Sequence, residues 1–146
     1  MPKLEPGNAK LEEESRPQSN PVRDFTDLQV WRLGRELRKL AYSLMRGFPS
    51  EERYVLSSQL RRAAISITAN IAEGFGRYSY QENIQFCRQA RGSAFELRDH
   101  LTTALDYNYV TPEQFKKADA LAQRVVQTIN GYIRSTKALQ ASQGRR

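Results

Sequence analysis

The sequence predicts an all-α protein, an antiparallel up-down-up-down four-helix bundle, on three observations. Four stretches repeat apolar residues at alternating spacings of three and four, the period of a helix with one buried face. Each opens on a residue suited to cap free amides, and the breaks between them are short, which makes consecutive helices antiparallel neighbours. The composition agrees: of 146 residues 39% are hydrophobic and 27% charged, with 8 Gly and 6 Pro to interrupt helices. A chain of this length holds one extended core rather than two.

Residues 1–24 combine Pro2, Pro6, Pro17 and Pro21 with Gly7, Asn20 and the run Glu12 to Glu14, without a sustained apolar period, and read as a disordered N-terminal extension. The bundle is expected over 25–137. Thr26 is the expected N-cap of the first helix, with Gln29 three residues on, and its seam runs Val30, Leu33, Leu37, Leu40 and Leu44 to an end near Gly47. Ser50 is expected to cap the second, with Glu51 and Glu52 in the first turn, where the helix dipole favours carboxylates. Its seam is Leu56, Leu60, Ala63, Ile67 and Asn70, with Gly74 as the stop in a left-handed turn. Ser79 and Glu82 announce the third helix, whose seam is Cys87, Ala90, Ala94, Leu97, Leu101 and Ala104. Thr111-Pro112-Glu113-Gln114 places an N-cap, a first-turn proline and a box partner in the preferred order for the fourth. That helix follows Phe115, Ala118, Ala122, Val125, Ile129 and Tyr132, and residues 138–146 form a basic tail expected to fray.

One cysteine, Cys87, allows no internal disulfide, and no basic end followed by an apolar run marks an export signal, so a cytoplasmic protein is expected. Apolar clusters are broken well short of the roughly 18 residues of a spanning helix, so no membrane is expected as partner. The one histidine, His100, has no second His or Cys at ligand spacing, which argues against a metal, a Cys-His pair and catalysis in general; no cofactor is implied. Gly74 and Gly76 lack the preceding strand and following Gly-Lys-Ser/Thr of a phosphate loop.

The net charge of +7 comes from the helices: residues 25–144 hold 17 basic and 11 acidic side chains, while residues 1–25 hold four and five. On the first helix Arg32, Arg35, Lys39, Tyr42 and Arg46 follow at helical spacing away from the seam, with Arg38 beside them. On the third, Arg88, Arg91 and Arg98 form a second stripe around Phe95, and Arg61, Arg62 and Arg77 add to the field. Such clusters bind phosphate backbones by displacing counterions; they are equally what a solvated helix face looks like, with Glu36, Glu96 and Asp99 partly neutralising them. The second helix is unusual. Opposite its seam lie Ser58, Arg62, Ile65, Ala69 and Ala72, mostly small or apolar, so that it is apolar on nearly all sides. Either neighbouring helices of the same subunit cover this face or another subunit does; a homo-oligomer is expected.

The stretch Gln59 to Phe86, QLRRAAISITANIAEGFGRYSYQENIQF, resembles the signature of the four-helix-bundle family encoded by intervening sequences in bacterial 23S ribosomal RNA genes, the S23-like proteins. Phe25, Asp27, Leu28 and Trp31 are similar to its opening, Phe48-Pro49 to its first loop, and Ala90 to Ser93 with Glu96-Leu97 to its third helix. The resemblance spans about residues 25–135 and leaves the N-terminal extension outside. It implies a ring-like homo-oligomer, most often a pentamer, without known catalysis. It also implies kinship with accessory variability proteins of diversity-generating retroelements, whose basic pentamers bind nucleic acid and a reverse transcriptase. Matching residues Gln59, Asn70, Glu73 and Gly74 suit folding and assembly, Asn70 by fixing register as a polar seam residue, while the matching Arg61 and Arg62 could either pair with acidic neighbours or meet phosphate. The expected function is a non-enzymatic, oligomeric accessory protein that binds RNA or DNA. The alternative is a protein-interaction scaffold, for a reverse transcriptase for example, that presents Trp31, Phe95, Tyr78 and Tyr80. An enzyme would need a site built between subunits.

Overall fold

The computed structural model describes residues 21–143, and among them every regular element is helical. Most of the expected disordered extension, residues 1–20, and the last three residues of the tail lie outside the described residues. Four long helices are present: α1 (Gln29–Met45), α2 (Leu56–Phe75), α3 (Tyr80–Asp106) and α4 (Pro112–Gln143). Two single-turn 3-10 segments, Phe25–Asp27 and Ser50–Glu52, precede α1 and α2.

Helix starts are where the structure departs from the sequence reading. Thr26 does not cap α1. Asp24 accepts the Phe25 N–H at 2.9 Å while Asp27 accepts the Asp24 N–H at 3.1 Å, a reciprocal acidic box that winds the 3-10 turn. Two carboxylates outcompete one hydroxyl for these amides, and Thr26 Oγ1 itself donates to Asp24. α1 then begins after Leu28 without a side-chain cap. Ser50 likewise opens only a 3-10 turn, and α2 starts six residues later, where Glu52 reaches forward to accept the Leu56 N–H at 3.2 Å. The other two starts follow expectation. Ser79 Oγ accepts the Glu82 N–H at 3.3 Å, and Thr111 and Gln114 satisfy each other's amides at 3.1 and 2.9 Å ahead of Pro112.

The ends differ too. Gly74 lies inside α2 rather than in a left-handed turn, and no described glycine has positive φ. It is small because α3 arrives there: a Cβ would stand 2.8 Å from Asn83 Oδ1 and 2.9 Å from Phe86 Cβ. The left-handed residue is Asn108, φ 61°, a residue type that tolerates this region. With the Tyr109 N–H on Ala104 O and the Asn108 N–H on Leu105 O it closes α3 as a Schellman motif. α4 runs to Gln143, past the end expected near Lys137, and Gln140 and Gln143 reach Gln81 and Tyr80 at the start of α3.

One apolar core joins all four helices. α2 and α3 supply its centre: Leu60, Ala63, Ala64, Ile67 and Ile71 on one, and Cys87, Ala90, Ala94, Leu97 and Leu101 on the other, are completely buried. Each buried Leu or Ile contributes roughly 1.5 to 3 kcal/mol, and the alanines let the two helices approach. Two seam assignments shift by one residue. Ala41 is buried where Leu40 is half-exposed, and Ile71 takes the position given to Asn70. Asn70 is half-buried and donates to Ser66 O and Oγ of its own helix, both at 2.9 Å, so it does not bridge helices as a register-setting residue would.

Candidate nucleic-acid interface

The basic residues of α1 are placed by the turn of the helix. With Leu37 facing the core, the roughly 100° per residue of an α-helix sets Gly34 toward α2, then Arg38 and Trp31, then Tyr42 and Arg35, with Arg46 and Lys39 outermost. Gly34 lets α2 close in, since a Cβ there would meet Thr68 Cγ2 at 3.2 Å. One turn on, Arg38 Nη1 donates to Thr68 Oγ1 at 2.8 Å. Three concavities adjoin along the outside of α1 and α2 at this junction, together forming a shallow groove. A concavity of about 550 Å³ is lined by Trp31, Arg32, Arg35, Glu36 and Lys39. It adjoins one of about 470 Å³ lined by Arg38, Lys39, Tyr42, Arg46 and Ile65, sharing Lys39. A third, about 430 Å³, shares Ile65 and adds Arg61 and Arg62.

The eleven candidate cations divide by what holds them. Arg32 donates to Thr26 O at 2.8 Å and stands 3.8 Å from Asp27. Arg62 is paired with Glu96 and Gln59, and Arg77 with Glu73 at 2.7 Å. Arg98 is pinned to Asp119 at 2.8 Å and Arg91 to Asn130 Oδ1 at 2.7 Å, so this stripe of α3 is turned into its junction with α4 and only Arg88 remains outward. By contrast Arg35, Lys39, Arg46 and Arg61 are exposed and form no ion pair among the described residues. Arg35 lies over the Trp31 ring, 5.8 Å from its centre, and Arg61 over Tyr42 at 5.7 Å. The first of these contacts is legible as an i, i+4 pair. The second joins two helices, and no signal in the sequence announces it.

Among the described residues, the outer face of α2 is left largely uncovered. Ser58, Arg62, Ile65 and Ala69 are exposed, Ile65 at 44%, and Ala72 is half-buried. This face and the groove meet at Ile65. Of the aromatic residues considered for a protein partner, Tyr78 is fully exposed and Phe95 half-exposed beneath Arg98, whereas Trp31 packs edge-on against Phe25 at 5.2 Å and Tyr80 accepts from Gln143.

Cys87 and His100 line none of the three concavities. Cys87 is buried, which pushes its thiol up to about 11, far from a reactive thiolate at neutral pH. His100 is half-buried with Nε2 3.3 Å from Glu96, the carboxylate that also holds Arg62. Among the described residues no group of three or more His, Cys, Asp or Glu could hold a metal ion, and no helix is long and apolar enough to cross a membrane.

Residues 26–131 match the family model described as 23S rRNA-intervening sequence protein. The chain also resembles, with a TM-score of 0.66 and 24% identity, the crystal structure of a protein of unknown function from the S23 ribosomal protein family of Bacteroides thetaiotaomicron VPI-5482, over 71% of this chain and 97% of that one. At this identity the likeness is one of fold. No curated protein is significantly similar in sequence.

Proposed function

Since the chain belongs to the 23S rRNA-intervening sequence protein family, we propose that it is a non-enzymatic accessory protein that binds nucleic acid through the groove between α1 and α2. The observation that carries this reading is the charge there. Arg35, Lys39, Arg46 and Arg61 line three adjoining concavities along α1 and its junction with α2, and among the described residues no carboxylate is ion-paired to them, while the cations of α3 are mostly spent on α4. Unpaired, partly ordered cations on a concave surface raise the local potential and release counterions when phosphates replace them. The protein works in the cytoplasm, in this reading, on RNA or DNA.

The bundle is read as antiparallel and the protein as a ring-like homo-oligomer, a pentamer. Paired positions support the first: Gly34 lies by Thr68 and Tyr42 by Arg61, Arg62 by Glu96 and Gly74 by Asn83, Asn83 by Tyr132 and Arg98 by Asp119. Numbers rise on one helix as they fall on the next. The uncovered small and apolar face of α2 supports the second. A scaffold for a reverse transcriptase is the second reading, favoured by the fully exposed Tyr78 at the turn between α2 and α3.

The test is titration of labelled RNA and DNA with the wild type and with the triple variant Arg35→Glu, Lys39→Glu, Arg46→Glu across a range of salt. Wild-type affinity is expected to fall steeply with salt. The variant should bind far more weakly and lose about two to three units of the log-log salt slope, one phosphate contact per residue reversed. Unchanged binding by the variant, or none by the wild type at low salt, rejects the reading.

A further inference from the structure

The cations of this groove are not bare point charges. Two of them are guanidinium groups held over rings, Arg35 over Trp31 at one end and Arg61 over Tyr42 at the other. Trp31 and Tyr42 are eleven residues apart on α1, about 16 Å at 1.5 Å per residue. Between them lie Arg38, fixed by Thr68, and Lys39, with the exposed apolar side chain of Ile65 on the floor. Planar ledges therefore alternate with positive charges along a strip of adjoining concavities.

A duplex uses only the charges of such a strip. Its base faces are stacked on one another, leaving phosphates and groove edges outward, so the ledges would add little to holding it. A single strand offers both parts: unstacked bases lie on aromatic rings or guanidinium planes while the backbone follows the cations. Resting on the nucleic-acid reading above, we propose that the groove between α1 and α2 takes single-stranded nucleic acid, with bases stacked on the Arg35–Trp31 and Arg61–Tyr42 ledges and phosphates on Arg38, Lys39 and Arg46.

Single-stranded and duplex oligonucleotides of the same length are titrated at one low salt concentration, read by anisotropy of a label and by emission of Trp31, the chain's one tryptophan. The single strand is expected to bind more tightly and to quench Trp31. The double variant Arg35→Lys, Arg61→Lys keeps every charge and removes both guanidinium planes. It should lose roughly five- to 150-fold for the single strand per stack broken, with duplex binding unchanged. Tyr42→Ala should lose one such step and Tyr42→Phe none; these variants do not disturb the packing of Trp31 on Phe25.

Equal binding of both forms, with the lysine variant unaffected, would mean a phosphate-only surface: this inference fails and the nucleic-acid reading stands. Binding of neither form defeats both. Preference for an acidic peptide such as oligoglutamate, with quenching of Trp31, also defeats both, since the groove would then be a protein site.

Discussion

At the scale of single residues, the sharpest contrast is between two glycines that look alike in sequence. Gly74 sits where a Cβ would lie within 3 Å of Asn83 and Phe86, whereas Gly92, also inside a helix, has nothing within 4 Å of its own. Overpacking a closed helix junction costs about 1 to 3 kcal/mol, while removing backbone freedom from an open helix position gains up to about 1 kcal/mol. Gly74→Ala is therefore expected to lower the denaturation midpoint and Gly92→Ala to raise it, measured by urea unfolding followed by circular dichroism. Asp119 gives a pH-dependent counterpart. Burial alone would raise its pKa, but the hydrogen bonds and charge of Arg98 with the Gln123 hydrogen bond outweigh it and hold the carboxyl below 3.8. A depressed folded pKa stabilises at pH above the unfolded value, and that stabilisation is lost as pH falls through the folded one. Asp119→Asn should thus cost on the order of 1 kcal/mol at neutral pH, and the gap to wild type should close below about pH 4. A gap that persists at low pH would mean that shape, not charge, holds this pair.

At the scale of elements, periodicity carried most of what the sequence disclosed, because burial on a helix obeys a fixed angle. Val30, Leu33, Leu37 and Leu44 on α1 and Cys87 through Ala104 on α3 are buried where the spacing puts them. Caps were less legible because several residues compete for the same amides. Asp24 and Asp27 displaced Thr26, and Glu52 displaced Ser50 by reaching over a 3-10 turn that no period encodes. Thr111 and Gln114 were legible because Pro112 allows only one start. The candidate site divides similarly. Its positive charge and its place on α1 could be read from the sequence. That Arg35 and Arg61 are held over rings while Arg91 and Arg98 are consumed by α4 depends on which helices adjoin, so the two basic stripes that looked equivalent are not.

At the scale of the whole molecule, the uncovered face of α2 and the groove beside it constrain each other. From Ser58 to Ala72 the face is about 21 Å long and, at a helix width of about 10 Å, offers on the order of 200 Å², well short of the roughly 800 Å² per partner of a stable interface. An assembly seated there must extend onto the flanking helices, and so onto the rim of the groove at Ile65. In the proposed ring the contact is heterologous, one patch meeting a different one, so each subunit would repeat the groove at a fixed spacing. A strand long enough to reach two grooves then binds the second intramolecularly, which raises avidity by about 10² to 10⁴. Ala69→Glu tests this because Ala69 is exposed on the proposed assembly face and lines none of the three concavities of the groove. Native mass spectrometry is expected to show a monomer and circular dichroism unchanged helicity, and in titrations the variant should bind a short oligonucleotide as the wild type does but a long one about 10²- to 10⁴-fold more weakly. If Ala69→Glu remains assembled, α2 is not the contact. If it is monomeric and still binds the long strand as tightly, the grooves act singly and the ring adds nothing to their affinity.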